Sequence, residues 1–181
     1  MPKYVALLRG INLGKRRVKM PVLADLFTAM GFAEVTTLLA SGNVIFATSR
    51  QSGPRLESDI ADHLQENLGY DVPTRVRSAA EITAVLAADP FGDLFTDQPH
   101  ANTQITFFDR KVPSAEAKAL EALSGEGDRL KVIGRELYWR CATKISESAL
   151  WKNARRNPHN LPNGTTRNLQ TLQKIADRLT A

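Results

Sequence analysis

Arg9, Lys15, Arg16, Arg17 and Lys19 crowd into one short stretch with Gly10, Asn12 and Gly14, and residues 1–20 contain no Asp or Glu. Cations on a glycine-punctuated loop suit the binding of an anion: the glycines let backbone approach a ligand closely, and Arg and Lys supply the charge. Two more sets have the same character. Ser41 and Asn43 flank Gly42 in a turn, and Lys144, Ser146, Arg167 and Asn168 fall near the end of the chain, the last two just before an apolar-periodic stretch. A loop that runs from a strand into a helix start places free N–H groups and the positive end of the helix dipole beside such cations.

Other chemistries fit less well. A phosphate-cradling P-loop needs four residues between its glycines and then Lys with Ser or Thr. Here three residues separate Gly10 from Gly14, and Arg16 follows Lys15. His63, His100 and His159 are far apart and form no Cys/His spacing for zinc, so each reads as a surface histidine. Asp89, Asp93 and Asp97 are spaced across an acidic loop without the ligand pattern of a calcium site. Ser41 lacks the G-x-S-x-G setting of a hydrolase nucleophile. Cys141 is the only cysteine and reads as a strand thiol. No triad or carboxylate pair emerges, so the sequence assigns no reaction, and it calls for no cofactor or metal.

The net charge of +5 is unevenly spread. Residues 1–50 carry seven basic and two acidic side chains, residues 51–128 six and fourteen, and residues 129–181 eleven and three. Basic ends around an acidic middle predict one electropositive face if the ends meet, favouring phosphate, carboxylate or nucleic-acid ligands. An apolar fraction of 43% supports a packed core. No apolar run reaches the roughly 20 residues of a membrane span, no secretion signal opens the chain, and a single cysteine fits a reducing cytoplasm.

The elements that must position these residues follow from periodicity. Val5–Leu8 is a continuous apolar run, a strand covered on both faces. Pro21 opens a helix whose inner face is Leu23, Leu26, Phe27 and Met30, ended by Gly31. Glu34–Ala40 and Val44–Ala47 form a hairpin. Leu56, Ile60, Leu64 and Leu68 mark a second helix closed by Gly69, and residues 72–77 alternate as an edge strand. The order β-α-β-β-α-β over residues 3–78 predicts a ferredoxin-like unit.

The second half reads as a short helix after Ser78 or Ala79, an acidic loop over 90–101 with exposed aromatics, and a strand at Thr103–Phe108. A helix from Pro113 with Ala119, Leu120 and Leu123 inward comes next, then a hairpin about Gly134-Arg135 and a helix near Ser146–Asn153. After Pro158, Pro162 and an Asn163-Gly164 turn, Thr165 or Thr166 caps a final helix bearing Leu169, Leu172, Ile175, Ala176 and Leu179. This predicts an α+β protein with two units, 1–78 and 79–181, packed as one body, the second an incomplete ferredoxin-like unit one strand short.

The stretches ALLRGINLG at 6–14, VKM at 18–20, LLASGNVIF at 38–46, PFGD at 90–93 and GTTRN at 164–168 resemble domain-of-unknown-function family 1697, bacterial proteins without an established activity. The resemblance implies an α/β fold with ferredoxin-like topology and brings no catalytic residue with it. The residues themselves point to a basic site for a small phosphorylated or carboxylated molecule, built from Arg9, Asn12, Lys15, Lys19, Ser41, Asn43, Lys144, Ser146, Arg167 and Asn168. A weak RNA or single-stranded DNA binder is the alternative. Tyr4 and Phe46 stand on the strands where such sheets stack bases, and Tyr138 and Trp139 alternate to opposite faces. A scaffold without a small ligand is the third reading.

Overall fold

A computed structural model describes residues 1–156 and 164–181. His159, Pro158, Pro162 and Asn163 lie outside the described residues. The chain divides into two compact units, one of residues 1–84 and 173–181 and one of residues 85–172. Among the described residues no helix is long and apolar enough to cross a membrane.

In the first unit β1 (Lys3–Leu8) is central. It pairs antiparallel with β3 (Asn43–Ala47) and β4 (Thr74–Ser78), and β2 (Ala33–Leu38) adds to β3, giving the order β2-β3-β1-β4. This is the ferredoxin-like order that the element sequence predicts. Alternation puts Tyr4, Ala6, Leu8, Val44, Phe46 and Val76 on one face. They meet Leu23 and Phe27 of α1 (Met20–Ala29) and Leu56, Ile60 and Leu64 of α2 (Pro54–Leu68). Val5, Leu7 and Ile45 on the other face are buried too, which is why β1 carries an unbroken apolar run. α2 ends at Gly69 with φ +77, the left-handed stop its sequence announces.

The second strand is shorter than the expected Glu34–Ala40. It starts at Ala33, is bulged between Ala33 and Thr36, and ends at Leu38 because Leu39 turns to φ +61 and stays exposed. His63 is no surface histidine: it is half-buried, and its Nε2 lies 3.1 Å from the Leu26 carbonyl oxygen, joining α2 to α1.

α3 (Ala79–Ala88) opens with a capping box. Glu81 N donates to Ser78 Oγ (3.2 Å), while the Glu81 carboxylate accepts from Ser78 N (2.8 Å) and Oγ (3.0 Å). In the second unit β5 (Asn102–Phe107) is central, flanked by β7 (Glu136–Cys141) and β8 (Thr165–Asn168), with β6 (Asp128–Ile133) outside β7. The order β6-β7-β5-β8 repeats that of the first sheet, so the unit is not one strand short. The missing strand is β8, in the segment read as a helix cap. Thr165 and Arg167 point inward and Thr166 and Asn168 outward, a four-residue alternation with no apolar side chain to announce it.

α4 (Ser114–Glu121) ends before Leu123, which is 42% exposed; of the expected inward residues only Leu120 is buried and Ala119 is exposed. It joins Phe108, Val112, Leu130 and Leu137 in a small core. A single turn at Ile145–Glu147 precedes α5 (Ala149–Arg156), and α6 (Leu169–Thr180) follows β8 directly. On α6, Leu172, Ile175 and Leu179 are buried as the periodicity predicts, but Leu169 is 40% exposed.

Candidate functional site

The first-unit candidates gather at one end of its sheet. Leu8 N donates to Gly42 O (2.9 Å), Arg9 N to Pro73 O (2.9 Å), and Tyr70 Oη to Ile11 O (3.1 Å), so the loops after β1, before β3 and before β4 lie side by side. Asn12 closes its own loop: Val18 N donates to Oδ1 (2.7 Å), and Nδ2 donates to Ala40 O (3.0 Å). Buried Asn43 donates Nδ2 to Leu38 O (2.7 Å) and to Ser41 Oγ (3.1 Å). Asn12, Ser41 and Asn43 therefore hold the scaffold. Arg9, Lys15 and Lys19 are exposed, while Arg16 lies over the Tyr70 ring at 4.4 Å.

The second unit has a concavity. A groove of about 420 Å3 is lined by His100, Asn102, Gln104, Arg140, Lys144 and Asn168, together with the first residues of α6, and among the described residues no Asp or Glu lines it. It runs past the end of the sheet, because strand alternation puts Gln104 and Asn168 on one face and Thr103 and Arg140 on the other. Gln104 pairs with Asn168 across β5 and β8, so both reach the same sheet face. Thr103 pairs with Arg140 across β5 and β7, and Arg140 donates Nη1 to Thr103 Oγ1 (3.1 Å) and Nε to Leu94 O (2.9 Å). The guanidinium is thus held in one orientation.

Asn168 caps α6, its Oδ1 accepting from Thr171 N (2.7 Å). Thr165 and Thr166 do not cap it; they lie in β8. The N–H groups of Leu169 and Gln170, at the start of the helix, have no intrahelical acceptor. Lys144 is exposed and precedes the turn at 145–147, whose place is fixed by a buried carboxylate. Asp128 accepts from Trp139 Nε1 (2.7 Å) and from Ser148 Oγ (3.0 Å), and Ser148 Oγ in turn accepts from Trp151 N (3.1 Å).

Two of the second-unit candidates stand outside the groove. Ser146 is exposed on the neighbouring turn, and Arg167 points inward from β8 beside buried Ile105. Burial lowers the Arg167 guanidinium to about 10, which leaves it charged at neutral pH; its Nη1 donates to Thr166 O (2.8 Å). Arg140, His100, Asn102 and Gln104 are the groove residues that sequence reasoning missed. For Arg140 the available signal was period two, which sets it with Tyr138 on the face opposite Trp139; Asn102 and Gln104 share the Trp139 face.

A second cavity of about 310 Å3 in the same unit is lined by Val85, Leu86, Pro90, Phe91, Tyr138 and Leu169, with Asp89, Thr96, Thr103 and Arg140. Tyr138 donates its hydroxyl to Val85 O (3.1 Å), and burial, helped by Glu136, pushes its phenol up to about 12. Phe91 and Phe95, expected to be exposed, are half-buried, and Arg129 lies over Phe95 at 5.9 Å. Cys141 is buried, and desolvation raises its thiol above the usual value, away from nucleophile chemistry.

Three aromatics of the nucleic-acid reading, Tyr4, Phe46 and Tyr138, belong to cores, while Trp139 is half-buried. Tyr4 and Phe46 are buried 6.0 Å apart, and Phe46 packs against Phe27 and Phe32. Tyr138 is buried as well, so none of the three offers a stacking face.

The family described as "Protein of unknown function (DUF1697)" matches residues 1–138. The chain belongs to this family. The family match ends inside β7 and stops short of Lys144, Ser146, Arg167 and Asn168. The chain is also similar to the solved structure of conserved bacterial protein SP0830 from Streptococcus pneumoniae. The identity is 24%, over 100% of this chain and 99% of that one, with a TM-score of 0.79, so the likeness is one of fold. No curated protein matches the chain.

Proposed function

We propose that this member of the family binds a small phosphorylated or carboxylated molecule, with the anion seated in the groove of the second unit. The observation that carries the reading is the company in that groove: Arg140, Lys144, His100 and the start of α6 line one concavity, with no carboxylate among the described residues there. Arg140, held by Leu94 O and Thr103, presents a pre-oriented fork, the arrangement that loses least on binding. Lys144 adds a mobile charge, and the amides of Leu169 and Gln170 add donors near the positive end of a helix dipole. Asn102, Gln104 and Asn168 supply neutral groups for orientation.

The test is thermal unfolding in inorganic phosphate against chloride at matched ionic strength. A ligand at a hundredfold excess over its Kd stabilises by about 2.7 kcal/mol, which raises the Tm by about 5 °C or more for a chain of this size. Lys144→Ala, at an exposed position, should fold normally and lose at least half of that rise. A phosphate-independent Tm, or an equal rise in the variant, would reject the site.

A further inference from the structure

We infer that the ligand of this groove is an amphiphilic anion: a phosphate or carboxylate attached to an apolar or aromatic body that occupies the adjoining cavity of the same unit. The inference rests on the anion reading above and adds the class of molecule. The cationic groove and the 310 Å3 cavity share Thr103, Arg140 and Leu169 in their walls, so the two lobes adjoin at these residues. The second lobe differs in chemistry from the first. Its apolar walls are Val85, Leu86, Pro90, Phe91 and Leu169, beside the polar Asp89, Thr96, Thr103, Tyr138 and Arg140. Its volume is at the small end of the about 300–1,000 Å3 typical of ligand pockets.

The polar groups in that lobe are largely spent. Tyr138 donates its hydroxyl to Val85 O, and Arg140 commits Nε to Leu94 O and one N–H of Nη1 to Thr103. A sugar or polyol seated there would bury hydroxyls with few partners, which is costly, whereas a ring or short hydrocarbon chain would not. Asp89 lines the apolar lobe and, among the described residues, no acid lines the other. A negative group is therefore repelled from one lobe and attracted to the other, which fixes the direction in which the ligand lies. The Pro90-Phe91-Gly92 turn, which the anion site leaves unexplained, becomes the wall for the body of the ligand.

Calorimetry on the full chain with inorganic phosphate, phenyl phosphate and glycerol phosphate tests this. Phenyl phosphate should bind about tenfold or more tightly than inorganic phosphate, from burial of the ring, and glycerol phosphate should gain less than threefold. Phe91→Ala and Leu169→Ala should each cut the phenyl-to-inorganic ratio at least threefold; Leu169 is 40% exposed, so its variant folds even if Phe91→Ala does not. Equal binding of the three probes, or a ratio unchanged in Leu169→Ala, overturns the amphiphile inference and leaves the anion site standing. Absence of binding by all three overturns both.

Discussion

At the scale of single residues, the family-like turn at 41–43 is built on close approach. Gly42 is buried with φ +81, and a β-carbon there would come within 2.5 Å of Ile11 Cγ2 and 3.1 Å of Leu8 Cβ. Both the backbone conformation and the lost space penalise a side chain, so Gly42→Ala should cost about 2–4 kcal/mol. Gly14→Ala is the control. Its φ of +63 is similar, but nothing lies within 4 Å, so only the backbone penalty of about 1 kcal/mol remains. Urea midpoints compare the two, and equal losses would show that packing against Ile11 is immaterial. The same scale explains why Asn12 and Asn43 look functional in the sequence: polar residues in loops bond local backbone as readily as ligands, and here their amides go to Ala40 and Leu38 carbonyls.

At the scale of elements, α4 is pinned to β6 by a charge. Glu121 accepts from Val132 N (2.9 Å) through one oxygen and pairs with Lys131 (3.2 Å). That backbone bond, aided by Lys131 and opposed by desolvation, holds the Glu121 carboxyl below its ordinary value of 4.5. A carboxyl lowered in the folded state stabilises fully above 4.5 and loses its contribution as pH falls through the folded value. Urea midpoints of the wild type should therefore drop on the acid side of 4.5 more steeply than those of Glu121→Gln. Parallel pH curves would contradict the pin.

Most elements were legible because their signals are local: apolar runs for β1 and β3, a 3.6-residue stripe and Gly69 for α2, Gly134-Arg135 for the β6–β7 hairpin. β8 was not, because Thr165–Asn168 draws its strand character from pairing with β5, a partner about 60 residues away. The groove shared that fate. Arg140 reads as one more strand cation until pairing sets it beside Thr103, and Arg167, the more conspicuous arginine, turns inward.

At the scale of the molecule, two sheets of one topology carry different surfaces. The first unit spends its loop polarity on closing turns and shows exposed Arg9, Lys15 and Lys19; the second unit sets two of its cations, Arg140 and Lys144, in the lining of a concavity. Of the eleven basic side chains of residues 129–181, Arg140 and Lys144 line the groove, beside the start of α6. In the proposed function, this second-unit groove rather than the opening loop receives the anion. Amide NMR shifts recorded while inorganic phosphate is titrated at constant ionic strength test it most directly. The account predicts saturable shifts at Asn102–Gln104, Lys144 and Asn168–Thr171. Shifts confined to residues 9–19, or none that saturate, would contradict it.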